Sequence, residues 1–252
     1  MIPKIIHLCW LSGDPFPPEI QACLDSWKKY LPDYDIWLWD SKRFDLNSTL
    51  WTKQAFEARK YAFAADYIRL FALYTYGGIY LDSDVLVYKS FNDLLDLPYF
   101  VGEDYVHCFE AAVLGAEPGM KWIKDVLNRY DGLPFINEDG SYNMRGLPYV
   151  FHDRLSPLYR FEVVNKVERY EYDQSVMKVF PSSYFNSRDN VGIIKTDNSY
   201  CSHNYMGSWL DKKKSFNWKC FIPRPLLNTM YSCYLKCVYK DKADSAVINY
   251  SH

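Results

Sequence analysis

Asp82 and Asp84 stand two residues apart, directly after the Gly77-Gly78 turn and the apolar run Ile79-Tyr80-Leu81. Side chains two apart share one face of a strand, and the pattern predicts a single strand over Ile79–Val87 that carries both carboxylates. A parallel strand in an α/β sheet is apolar on both faces, and its C-terminal end is where ligands meet the sheet. Burying an unpaired carboxylate there costs several kcal/mol, so a pair calls for a cation. Oxygen donors select hard ions such as Mg²⁺ or Mn²⁺. Such an ion bridges two phosphates and neutralises the charge of a departing diphosphate, which suits a nucleotide diphosphate sugar as donor. The bland alternative is a solvated acidic turn, the reading that fits Asp33/Asp35 after Pro32.

The preceding stretch supplies further charge. Periodicity predicts one long helix over Thr52–Tyr76, ended by Gly77-Gly78. On it Arg59, Ala62, Asp66, Arg69 and Leu73 recur at steps of three or four and fall near one face, while Phe63, Tyr67, Leu70 and Tyr74 take the other. Arg69 is expected either to meet phosphate or to hold Asp66, and Asp66 to accept from a sugar hydroxyl. A helix-surface salt bridge is the competing account.

The elements that must position these groups read as an alternating α/β chain. Ile5–Trp10 is an apolar first strand, and Ile20, Leu24, Trp27 and Leu31 mark a helix stopped by Pro32. Ile36–Trp39 is a second strand, so strand, helix and strand form a parallel unit. Phe100–Gly102 and Ala111–Gly115 are further strands, Met120–Tyr130 a helix, Asp131–Arg154 a loop, and Val163–Val167 and Val176–Phe180 edge strands. Periodicity weakens beyond Asp197 until a helix over Leu226–Tyr239. One domain over 1–208 with a C-terminal extension over 209–252 is the economical organisation.

Composition supports a folded domain. Of 252 residues, 49% are apolar and 18% aromatic, enough for a sizeable core. The net charge of −2 divides unevenly: from Trp209 onward eight basic residues face three acidic ones, +5, leaving −7 on the first 208. That balance excludes nucleic acid as a partner of the whole domain. The tail, with Lys212-Lys213-Lys214, Phe216 and Trp218, suits an anionic membrane surface. No secretion signal or uninterrupted membrane-spanning run is evident, so the expected location is cytoplasmic, peripheral on the inner face of the cell membrane. Seven cysteines without a CxxC pair read as reduced thiols.

Arg59–Leu70, followed by Tyr74-Thr75-Tyr76-Gly77-Gly78-Ile79-Tyr80-Leu81-Asp82-Ser83-Asp84, resembles the DXD-containing sugar-binding region of family 32 glycosyltransferases. That group includes yeast initiating mannosyltransferases and bacterial capsule or O-antigen enzymes, with the clostridial glucosylating toxins as distant relatives. Pro3–Trp10 resembles the family's opening strand, and His203 with Ser208-Trp209 its late His…Ser-Trp signature. The resemblance implies a GT-A fold, a single Rossmann-like mixed sheet flanked by helices. It implies a retaining, metal-dependent hexosyltransferase that uses Mn²⁺ or Mg²⁺. Its donor would be a UDP-sugar, UDP-galactose favoured, and its acceptor a saccharide or lipid-diphosphate-linked glycan. By the same resemblance Trp10 stacks on the nucleotide base, Arg59, Ser83, Ser208 and Trp209 touch the donor, and His203 joins Asp84 and Asp82 at the metal. Asp84 is expected to ligate directly, and Asp82 to face ribose and donor sugar. Where the family carries a Thr-Gly-Pro element, this chain has Arg145-Gly146-Leu147-Pro148, which puts the acceptor in question.

The residues alone leave inversion open, because Glu103, Asp104 and Glu110 lie where a base would be needed. Asp104 is placed only as a donor or acceptor contact. A nucleotide-sugar hydrolase using the same metal site, or a non-catalytic sugar binder, are the alternatives.

Overall fold

The β strands and helices follow one another as the alternating pattern requires, with β1 (Ile5–Cys9), α1 (Pro18–Tyr30) and β2 (Asp35–Trp39) as the opening unit. The structure is a computed structural model that describes residues 1–104, 108–187 and 195–206. The extension over 209–252 and its Leu226–Tyr239 helix lie outside the described residues.

A mixed five-stranded sheet organises the domain in the order β2-β1-β3-β6-β5, with β3 (Gly78–Leu81), β5 (Tyr99–Glu103) and β6 (Phe109–Ala116) completing it. β1 runs parallel to both β2 and β3, while β6 is antiparallel to β3 and β5. Helices pack on this sheet as a GT-A, Rossmann-like arrangement requires. Every residue of β3 and β6 is buried.

The long helix expected over Thr52–Tyr76 is two, α2 (Leu50–Glu57) and α3 (Tyr61–Tyr76). Ala58 caps α2, the Arg59 N–H donates to Phe56 O, and the Lys60 N–H donates to Ala55 O. This is a Schellman closure, whose left-handed position usually falls to glycine. Here Arg59 adopts it, with φ of 54°. No glycine signals the break, so the periodic pattern ran through it. Arg59 is consequently exposed in the break and outside the helix that carries Asp66 and Arg69. Nor is α3 amphipathic in the expected sense: Phe63, Ala64, Asp66, Ile68, Arg69, Leu70 and Leu73 are all buried.

The single strand expected over Ile79–Val87 also divides. β3 ends at Leu81, and Val85–Val87 forms β4, paired antiparallel with β9 (Cys201–His203) in a separate sheet. Asp82, Ser83 and Asp84 form the turn between, closed by Val85 N–H on Asp82 O at 3.0 Å. The two aspartates therefore converge through a turn and not through strand alternation. Side chains of α1 fix β4, since the buried Trp27 donates from Nε1 to Val85 O at 2.7 Å and Val87 N–H donates to Ser26 Oγ at 3.0 Å.

Beyond the sheet lie α4 (Lys121–Leu127), α5 (Leu147–Leu155), β7 (Arg160–Val163), β8 (Val176–Val179) and α6 (Ser182–Phe185). α5 occupies part of the stretch expected as loop. Pro148 sits in its first turn and Leu147, Val150, Phe151 and Leu155 are buried, a helical spacing hidden behind a Gly-, Asn- and Asp-rich approach.

Gly77 and Gly78 do more than end α3. Both have positive φ, 63° and 104°, and a Cβ on Gly78 would meet Ile5 O at 2.7 Å and His7 Nε2 at 3.1 Å. The backbone of the turn lies against β1, and His7 pins it there. Trp39 Nε1 donates to His7 Nδ1 at 3.0 Å, which leaves Nε2 to carry the proton and donate to Gly77 O at 2.7 Å. Burial lowers the His7 pKa to about 4. Between the unfolded value near 6.5 and the folded value the unfolded chain binds more protons, so stability falls as pH drops through that window. The expected loss from pH 7 to pH 4 is about 3 kcal/mol from this group. Urea unfolding should show that extra loss in wild type relative to His7→Gln. Equal losses in the two proteins would rule it out.

Candidate metal and donor site

The site forms at the C-terminal ends of β1 and β3 and the start of β6. Asp82 N–H donates to Ala112 O at 2.9 Å, which ties the turn to β6. On the other side of the turn, the register Val85↔His203 brings β9 alongside, with Asn204 N–H donating to Asp84 O at 3.1 Å and Met206 N–H to Asp84 Oδ2 at 2.9 Å. That ladder carries His203 to Asp84, with Nε2 3.4 Å from Oδ1.

Single donor atoms of Asp82, Asp84 and His203 lie within 4.8 Å of one another. Adjacent donors on a six-coordinate ion with bonds of 2.0–2.1 Å are about 3 Å apart, so the Asp84–His203 spacing suits a shared hard cation. The charge agrees. The carboxylates of Asp82, Asp84 and Glu110 gather around the His203 ring and the Arg69 guanidinium, an acidic surround that favours a cation. Burial opposes the charge on His203, but the carboxylates of Glu110 and Asp84 outweigh it and hold the imidazole pKa well above its ordinary value. Burial also opposes the charge on Asp84, and there His203 and the Met206 N–H prevail and lower its pKa.

A second cluster adjoins the first. The Arg69 guanidinium reaches Asp66 Oδ1 at 3.0 Å and Asp82 Oδ1 at 3.4 Å through Nη2, and donates from Nη1 to Ala111 O at 2.8 Å. It also lies over the Tyr80 ring, 4.5 Å from its centroid. Tyr80 OH donates to Asp82 Oδ1 at 2.6 Å. The Arg69 nitrogens are thus directed at protein acceptors. Burial raises the Asp66 pKa to about 7, against the pull of Arg69. A group so poised accepts or donates a hydrogen bond near neutrality.

The remaining expected residues are more dispersed. Trp10 follows β1 half-buried, its Nε1 donating to Asp14 O at 2.7 Å and its ring 4.9 Å from Phe16. Ser83 is half-buried in the turn between the two aspartates. Asp104 closes the end of the β5/β6 hairpin, accepting from Cys108 N–H at 2.9 Å and donating its own N–H to Cys108 O at 2.7 Å. Ser208 and Trp209 lie outside the described residues. Arg145 pairs bidentately with Asp153, from Nε at 2.5 Å and Nη2 at 2.7 Å, at the entry to α5. Two residues that received no metal-site role, Glu110 and Tyr205, stand beside His203. The signal for Glu110 was present: it is the one charge in the buried strand FEAAVLGA.

Residues 17–101 match the family described as glycosyltransferase sugar-binding region containing DXD motif. The match runs from α1 into β5 and so includes Asp66, Arg69, Asp82 and Asp84. The chain is related to yeast inositol phosphoceramide mannosyltransferases. It is 30% identical over 138 residues to inositol phosphoceramide mannosyltransferase 3 of Schizosaccharomyces pombe, covering 53% of this chain and 38% of that protein. It is 33% identical over 147 residues to mannosyl phosphorylinositol ceramide synthase SUR1 of Saccharomyces cerevisiae, covering 54% and 37%. The chain thus spans less than two-fifths of these relatives' length. Among solved structures it is similar to the PaToxG glycosyltransferase, with 23% identity and a TM-score of 0.49 over 62% of this chain and 68% of that one. Among the described residues, no helix is long and apolar enough to cross a membrane.

Proposed function

We propose that the protein is a metal-dependent glycosyltransferase that moves a hexose from a nucleotide diphosphate sugar to a saccharide or lipid-linked acceptor with retention. The observation that carries this reading is the convergence of Asp82, Asp84 and His203 beside the buried Asp66–Arg69–Asp82 network. Asp84 and His203 would hold Mn²⁺ or Mg²⁺ directly, with Asp82 between cation and donor. When bound, the cation supplies Lewis-acid charge to the departing diphosphate.

The chain's own groups do the positioning. Arg69 holds Asp66 and Asp82 through one nitrogen, so that Asp66 presents a carboxyl poised near neutrality to a sugar hydroxyl. Trp10, on the loop after β1, supplies an aromatic face at the same sheet edge for the base. Arg59, Ser83, Asp104, Ser208 and Trp209 complete the proposed donor contacts. Retention follows the family resemblance, with the leaving diphosphate taking the acceptor proton on the same face. Peripheral attachment through the basic, aromatic extension would bring the site to a lipid-linked acceptor.

Two donors are in contention. The resemblance at Trp10 favours UDP, with galactose. The names of the yeast relatives favour a mannosyl donor and inositol phosphoceramide as acceptor. A thermal-shift screen of UDP- and GDP-sugars, each with and without Mn²⁺, separates them, because binding to the folded state raises apparent stability. One donor should give a Mn²⁺-dependent rise of several degrees. No shift with any donor would defeat the reading, and sugar release indifferent to added acceptors would favour hydrolysis.

A further inference from the structure

Glu110 lies behind His203, on the side of the ring away from Asp84. His203 Nδ1 is 3.4 Å from Glu110 Oε1, while Nε2 is 3.4 Å from Asp84 Oδ1. Each ring nitrogen therefore faces one carboxylate. Nδ1 is buried and has no hydrogen-bond partner of good geometry among the described residues. The Glu110 carboxylate is the acceptor that faces it.

Glu110 is itself held for this task. It is 4% exposed in a strand otherwise made of apolar and small residues. Oε1 accepts from Ala112 N–H at 2.8 Å, and Oε2 accepts from Tyr205 OH at 3.4 Å. Tyr205 covers His203, with ring centroids 4.1 Å apart and planes at 33°, and the Asn186 side-chain amide donates to its hydroxyl. The Tyr205 backbone is left-handed, φ 48°, a conformation costing a bulky residue about 1–2 kcal/mol. The fold sustains that cost in the segment that sets a ring against the imidazole.

We propose that Glu110 is a positioning residue for the metal site: its carboxylate takes the Nδ1–H of His203, fixing the ring and leaving Nε2 to face the cation beside Asp84. This rests on the metal-site reading above. A histidine ligand can offer only one nitrogen to an ion, and which one is decided by the hydrogen bond of the other. Glu110 makes that choice, and Tyr205 keeps the ring from turning. Its oxygens are engaged with Ala112, Tyr205 and His203, which assigns it to this role in place of the acceptor base considered from sequence.

The test uses the full chain and Mn²⁺ alone, followed by electron paramagnetic resonance of free and bound ion, with ¹⁴N modulation reporting a coordinated imidazole. Wild type should bind with nitrogen coupling, and Glu110→Leu should bind 10- to 100-fold more weakly with that coupling lost. Glu110→Gln, which keeps an acceptor but not the charge, should retain the coupling and lose roughly three- to tenfold in affinity. If Glu110→Leu binds Mn²⁺ within twofold of wild type and keeps its nitrogen signal, the proposal falls while the metal site stands. Should the leucine variant fail to fold, unchanged affinity in Glu110→Gln overturns the proposal equally. Wild type that binds Mn²⁺ without nitrogen coupling, or does not bind it, overturns the ligand role of His203 and with it the proposal.

Discussion

Asp84→Asn is expected to lose about 10²- to 10³-fold in kcat/KM for sugar transfer, several kcal/mol of transition-state stabilisation, with the fold intact. Asp84 is 8% exposed, and its two oxygens are divided between the Met206 N–H and the His203 ring. Asparagine keeps the size and one acceptor oxygen, so the β4/β9 junction should survive. What disappears is the negative charge that faces the imidazole and the cation. The measurement is Mn²⁺ titration of turnover with the donor found in the screen, alongside thermal unfolding without metal. Wild-type turnover by Asp84→Asn at saturating Mn²⁺ would remove Asp84 from the metal site. A collapse in thermal stability would instead mean that the charge serves the fold.

Arg69→Leu is expected to cost about 3–5 kcal/mol of folding stability. The side chain is buried, and its guanidinium is the neutralising partner of Asp66 and Asp82. It also satisfies Ala111 O and lies over Tyr80. Leucine fills much of the volume but strands two carboxylates. An uncompensated buried charge is far more costly than a pair that was never formed. Urea denaturation at neutral pH measures the loss. The double variant Arg69→Leu/Asp66→Asn should recover part of it, because one stranded charge is gone and the sites are directly coupled. A single variant within 1 kcal/mol of wild type would show that the carboxylates are not held by Arg69. A double variant as unstable as the single one would show that the loss comes from packing.

The sequence was most legible where interactions are local. β1, α1 and β2 announce themselves through short apolar runs, helical spacing and Pro32, and all three occur within a few residues of the expected bounds. Local signals misled where the breaking element was not a habitual breaker. The Schellman closure uses Arg59 in place of glycine, and the strand ends at Leu81 although β-branched residues resume at Val85. In both places a regular pattern continues across a point where the backbone turns. α5 was masked in the opposite way, by turn-rich residues preceding an ordinary amphipathic turn.

By itself, the sequence determined the acid pair after a Gly-Gly turn, the Asp66–Arg69 spacing on one helix, and an alternating α/β order that puts them at one sheet edge. Those features depend on neighbours a few residues apart, where chain geometry leaves little freedom. Only the tertiary structure decided how the acids converge and what stands around them. The turn between two different sheets replaces strand alternation, the β4/β9 ladder delivers His203 to Asp84, and β6 places Glu110 behind that histidine. Each of these is a pairing between segments far apart in the chain, set by packing of α1 and β6 against the turn rather than by any local preference. The acid pair was therefore readable as chemistry, while the approach of His203 to it was readable only as geometry.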